Sequence, residues 1–282
     1  MDHPKVKYIF LSEGIITLVI TLVTVSPALI YQHAETSPLL KKAFQLLEED
    51  IEVSTLLKMS NIMAVTRLRY NDHGVTHARI VAGTSLEIVS ILSKRGIEFT
   101  TLRDGTAKSL DEVKLIVMLS GYLHDIGNAV HRQNHEFLGA LLAKDILDRV
   151  LSKLGYDIKR VVELRQEVMH IIYSTEYDAQ CLTVECGITK IADGLDMAEG
   201  RARIPYKLGK VDMHAVSALS IKRVEVFEGE LKPIRISVYV SDMAGLFQLE
   251  AVLLPKIKTS LLEDLIEVTL HTDSKTLRFY PR

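Results

Sequence analysis

Between Pro38 and Pro205 the chain contains no proline, and throughout that interval apolar residues return every three or four positions. So long a stretch without the residue that breaks helices, patterned at the helical period, is built to fold mainly as helices. The pattern predicts helices near residues 38–49, 51–68, 74–95, 110–126, 134–154, 158–173 and 184–199. "RGIEFTTLRDGTAKS" loses the period and, with its Gly, Asp, Thr and Ser, predicts a loop. Past Pro205 the period changes to two. "ALSIKRVEVFEGE" and "PIRISVYVS" alternate like two strands joined at Gly229, "AGLFQLEAVLLPKIKTSLLEDL" reads as a helix interrupted or kinked at Pro255, and "IEVTLHT" as a third strand. The expected fold class is mainly α: a helical domain over residues 37–205, then a small α+β domain of ββαβ order over 206–282. Residues 1–36 form a separate hydrophobic N-terminal segment.

At 282 residues the chain can bury at least one full core, and 48% hydrophobic with 25% charged residues describes an ordered protein. A net charge of −2 supplies no global field for nucleic acid. Cys181 and Cys186 suggest neither a disulfide scaffold nor a zinc ribbon, so a reducing, cytoplasmic setting is expected. Residues 14–31, "GIITLVITLVTVSPALIY", carry no charge and approach the ~20 residues that span a bilayer as a helix. Membrane attachment through this segment is one reading. Its threonines, Pro27 and β-branched residues suit a strand pair or a buried helix equally.

Histidine is scarce, yet "YLHDIGNAVHRQNHEFLG" places His124, His131 and His135 beside Asp125. Folding alone does not call for this, because histidine is a middling helix former. "YNDHGVTHARIV" opens a helix with His73 and His77 one turn apart, and "KIADGLDMAEGRAR" puts Asp193 and Asp196 on one helical face with Arg201 and Arg203 beyond. His77, His124, Asp125 and Asp193, drawn from three helices, suit a divalent ion with mixed nitrogen and oxygen ligands. His33, His214 and His271 read as structural, and His73 as a helix cap beside Asp72.

His77, the pair His124–Asp125 in "LHDIG", and Asp193 in "ADGLD" together resemble the H…HD…D signature of the HD-domain superfamily of metal-dependent phosphohydrolases, with some likeness to ribonuclease Y and HD-GYP domains. The resemblance covers roughly residues 60–205. It implies an all-helical domain holding one or two ions among Mn²⁺, Fe²⁺, Co²⁺, Ni²⁺ and Mg²⁺ through His77, His124, Asp125 and Asp193. "HEFLG" makes His135 a ligand for a second ion. The family's further histidine would fall near Thr175; His170 stands more than one turn earlier as its stand-in. The resemblance further implies that Asp125 also orients the attacking water, that His131 carries a proton or contacts phosphate, and that Arg201 and Arg203 grip phosphate. Asn128 stands where relatives often have lysine. The function implied is hydrolysis of a phosphomonoester or phosphodiester of a small molecule, with a nucleotide as the expected substrate and a homodimer as the expected partner state. The competing reading is a metal-bound regulatory scaffold whose C-terminal module senses a ligand.

Overall fold

The computed structural model describes residues 5–7, 20–198 and 213–281. The helical part comprises α1 (Leu29–Ala34), α2 (Pro38–Glu49), α3 (Ile51–Asn61), α4 (Val75–Lys94), α5 (Thr100–Arg103), α6 (Leu110–Leu123), α7 (His135–Lys153), α8 (Ile158–Tyr173) and α9 (Val184–Leu195). Several starts are set by side chains that accept otherwise unpaired first-turn N–H groups: Asp50 for α3, Ser109 for α6, Asp157 for α8 and Thr183 for α9. α4 and α6 form the centre. Leu115, Ile116, Val117, Met118 and Leu119 of α6 are fully buried, so this helix is apolar all round rather than on one face.

Three boundaries differ from the sequence pattern. α3 ends at Asn61 and continues as a π-helical turn, Ile62–Arg67. α6 stops at Leu123, where Asp125 (φ −99°, ψ 0°) leaves the helix before a 3-10 turn over Ile126–Ala129. α5 occupies part of the expected loop, because Phe99, Thr100 and Thr101 are buried against the core and Glu185 accepts hydrogen bonds from the Thr101 N–H and Oγ1.

The remaining elements form a six-stranded sheet in the order β1 (Lys5–Lys7), β2 (Ile20–Thr24), β3 (Ile221–Glu228), β4 (Ile234–Val240), β5 (Ile266–His271), β6 (Thr276–Tyr280). All neighbours are antiparallel except β4 and β5. The expected ββαβ order is thus too short: β6 follows β5, and β2 adds to the far edge through Val23 opposite Val226. Of residues 14–31, the described part begins with strand β2 and enters the short helix α1, so it is not one spanning helix. One described helix, α4, is long and apolar enough to cross a membrane, but 67% of its apolar window is buried within the protein. A parallel β4–β5 pair requires a crossover, supplied by the helical run 243–258. The interruption expected at Pro255 takes the form of a π-helical turn over Leu249–Leu253 just before it, which accommodates the missing proline N–H. A helix, Met213–Ser220, precedes β3 and takes in Ala218, Leu219 and Ser220, the first three residues of the stretch that alternation assigns to strand.

Helices and sheet share one hydrophobic core, with Val81, Leu86 and Leu92 of α4 in the same cluster as Ile221, Ile236 and Val238. Cys181 and Cys186 form a disulfide, contrary to the sequence reading. Both are fully buried, and the turn that starts α9 brings their Cα atoms to 5.5 Å.

Glu185, in the first turn of α9, is buried with Oε2 lacking a hydrogen bond among the described residues, and burial raises its pKa. A carboxyl whose folded pKa is raised binds its proton more tightly in the folded state. Its contribution is therefore full below the unfolded pKa and is lost as pH rises through the folded value. Glu185→Gln is expected to raise the melting temperature at pH 7.5 and leave it unchanged near pH 4, as measured by thermal unfolding at both pH values.

Candidate metal centre

The central site is assembled from the ends of three helices. His77 lies in the first turn of α4, His124 just past α6, and Asp193 in the last turn of α9. α4 and α6 approach closely because Gly121 has no Cβ; one there would sit 2.9 Å from Ala82 Cα. The approach brings His77 Nε2 to 3.1 Å from His124 Nε2. Asp125 Oδ2 lies 3.2 Å from His77 Nε2 and 3.4 Å from His124 Nε2. Asp193 Oδ1 lies 3.2 and 3.6 Å from the same two nitrogens.

The outer contacts decide which imidazole nitrogens carry hydrogen. His77 Nδ1 donates to Asp196 Oδ2 at 2.6 Å, and His124 Nδ1 donates to the Gly121 carbonyl at 2.9 Å. In the neutral rings both Nε2 atoms then present lone pairs, and they present them to each other and to two carboxylate oxygens. Asp125 Oδ2 is buried and receives no hydrogen bond from any described residue. Such a convergence repels itself unless a cation lies within it. Ligands about 2.1–2.2 Å from an ion stand about 3.0–3.6 Å apart in octahedral or tetrahedral arrangements, so the observed separations fit one divalent ion. His77, His124 and Asp193 group as a possible metal site, and the geometry adds Asp125 to them.

His124, Asp125 and Asp193 line a cavity of about 450 Å³, with His77 behind them, and its wall also includes His73, Arg132, His135, Glu136, Tyr177 and Lys256. His135 Nε2 is 3.3 Å from Asp125 Oδ1, and Arg132 Nη1 is 2.9 Å from that same nitrogen. Where a second ion was expected, a guanidinium therefore stands beside His135. Asn128 donates from Nδ2 to Asp125 Oδ1 at 3.0 Å, which orients the carboxylate. His131 is exposed, its Nδ1 accepting from the Gln133 N–H, and is not among the residues lining the cavity. His170 also lies away from it, half-buried, with Nε2 accepting from the Leu182 N–H. His33 pairs with Glu87, and His271 bonds to Thr269 and Thr276, as structural histidines do. At the start of α4 it is Asp72, not His73, that receives the Gly74 N–H. Arg201 and Arg203 lie outside the described residues.

Three residues of the site carry no signal in the sequence pattern: Arg132, described above, Asp196 and Lys256. Asp196 was placed on the face of Asp193 without a role, yet it is the partner that sets the His77 tautomer. Lys256 was not singled out at all. Its Nζ donates to Asp193 Oδ2 at 2.8 Å, and although burial opposes ionisation of Asp193, that ammonium holds its pKa well below the usual carboxylate range. Nothing local in "LLPKIK" marks this lysine as buried, so only the packing could find it.

The HD-domain family model matches residues 74–198, which include all four clustered residues. An uncharacterized protein of Methanocaldococcus jannaschii, MJ1020, is 46% identical over 228 residues, spanning 81% of this chain and 87% of that protein. No solved structure matches the chain. The chain belongs to the HD-domain superfamily, whose members bind divalent metals and are generally hydrolases.

Proposed function

We propose that this protein is a metal-dependent phosphohydrolase that cleaves a phosphomonoester or phosphodiester of a small molecule, with a nucleotide as the favoured substrate. The observation that carries the reading is the pair of facing Nε2 lone pairs with two carboxylate oxygens, at the base of a cavity that also holds Arg132 and Lys256. His77, His124, Asp125 and Asp193 would hold the ion. When bound, it supplies a lowered water pKa and a counter-charge to the phosphoryl oxygens. Asp125 takes two roles, with Oδ2 turned toward the cluster and Oδ1 held by Asn128, so its position is fixed from both sides. Arg132 offers a guanidinium suited to a phosphate, and Arg201 and Arg203 remain proposed as further grips. A cavity of about 450 Å³ supports a small substrate rather than a polymer.

The test is metal analysis of purified protein, followed by a screen of mono-, di- and cyclic nucleotides and simple phosphoesters with Mn²⁺, Fe²⁺, Co²⁺, Ni²⁺ or Mg²⁺. Metal-loaded protein is expected to hydrolyse at least one of them and stripped protein none. Bound metal without hydrolysis of any phosphoester would favour the scaffold reading.

A further inference from the structure

Lys256 belongs to the helical run that connects β4 to β5, outside the stretch matched by the HD family model. It is only 4% exposed. Its Nζ donates to Asp193 Oδ2 at 2.8 Å and to the Thr175 carbonyl at 3.0 Å, and lies 4.6 Å from the Tyr177 ring centroid. One ammonium therefore ties together α9, the loop after α8 and the C-terminal run. The run seats closely: a Cβ on Gly194, next to Asp193, would stand 3.1 Å from Lys256 Cδ and 3.2 Å from Leu253 Cδ1. Gln248 and Val252, two turns and one turn before Lys256, line the same cavity, and Gln248 Nε2 also donates to Ser217 Oγ at 2.8 Å.

Burying an ammonium costs free energy that stability alone does not recover, since an apolar residue of similar size often serves a core as well. The geometry points to a different reason. We infer that Lys256 is a positioning residue: it holds Asp193 by Oδ2 so that only Oδ1 faces His77 and His124, making the C-terminal sheet unit a structural part of the metal centre. The inference rests on the metal-centre reading above. Its physical content is denticity. With Oδ2 engaged, the carboxylate offers one oxygen to an ion; released, it can turn and offer both.

The experiment uses the full chain loaded with Co²⁺, whose d–d absorption reports coordination number and geometry without turnover. Lys256→Met is expected to change the intensity and position of that absorption, while Lys256→Arg, which keeps a donor to Asp193, stays closer to wild type. At saturating metal, kcat of the methionine variant is expected to fall about 10- to 100-fold with KM changed less, the range typical for groups that orient metal ligands. Lys256→Gln keeps a donor for the Thr175 carbonyl and supplies the same comparison should Lys256→Met misfold by circular dichroism. A variant spectrum superimposable on wild type overturns the inference, whatever happens to kcat. A wild type that binds Co²⁺ yet hydrolyses no phosphoester defeats the functional reading and leaves the spectral comparison standing; one that binds no Co²⁺ overturns both.

Discussion

The His124→Ala/Asp125→Ala double variant is expected to lose bound metal and to lose hydrolysis by about a thousandfold or more, with its helical far-UV signal largely retained. Removing half of the ligand set forfeits several kcal/mol of transition-state stabilisation, and about 4 kcal/mol corresponds to a thousandfold in rate. The helix survives because α6 is held by Val113, Leu115, Ile116, Leu119 and Leu123, all fully buried, while His124 and Asp125 lie beyond its last residue. The metal-free wild type brings like-charged oxygens and opposed lone pairs together. The double variant should accordingly melt no lower than stripped wild type. Metal analysis, circular dichroism and thermal unfolding read these outcomes, and full metal occupancy in the variant would refute the ligand assignment.

Gly127→Ala is expected to be the most damaging small substitution near the site. Gly127 follows the HD pair in "LHDIG", and a Cβ there would stand 1.9 Å from the His135 carbonyl oxygen and 2.5 Å from the Gly139 N–H nitrogen. Both are backbone atoms of α7, so no side chain can swing aside to relieve the clash. The 3-10 turn and α7 must part, which moves His135 away from Asp125. A cost of about 3 kcal/mol is expected, at the upper end for overpacking. That corresponds to a melting temperature lower by roughly 6–12 °C for a domain of this size. Chemical and thermal unfolding of the metal-free proteins measure it, and a shift under about 1 °C would show that the two elements separate freely.

The helices were legible because their signals are short-range. Apolar spacing acts within one or two turns, and the seven helices it predicts between Pro38 and Leu195 start within a residue of the expected positions, three of them capped by Ser109, Asp157 and Thr183. The four clustered residues were legible for a related reason: each sits in a recognisable local word, "VTHA", "LHDIG" or "ADGLD". The sheet was half legible. Its β3–β4 hairpin and β5 alternate plainly, but joining β2 to β3 pairs Val23 with Val226, and no local period encodes a partner that far along the chain. His131 and His170 have suitable chemistry in suitable words, yet one faces solvent and the other turns to the Leu182 backbone.

What the sequence by itself determined was the seven long helices between Pro38 and Leu195, where they begin, and which residue types could bind a divalent ion. What only the tertiary structure decided was which charges meet. Lys256 reaches Asp193 across 63 positions and Asp196 reaches His77 across 119. Arg132 rather than a second histidine stands beside His135 at the cavity wall, although only three positions separate them, because the turn before α7 sets which side chain points inward. A side chain's character is local, but its electrostatic role depends on distance and burial, and both are properties of the packed molecule.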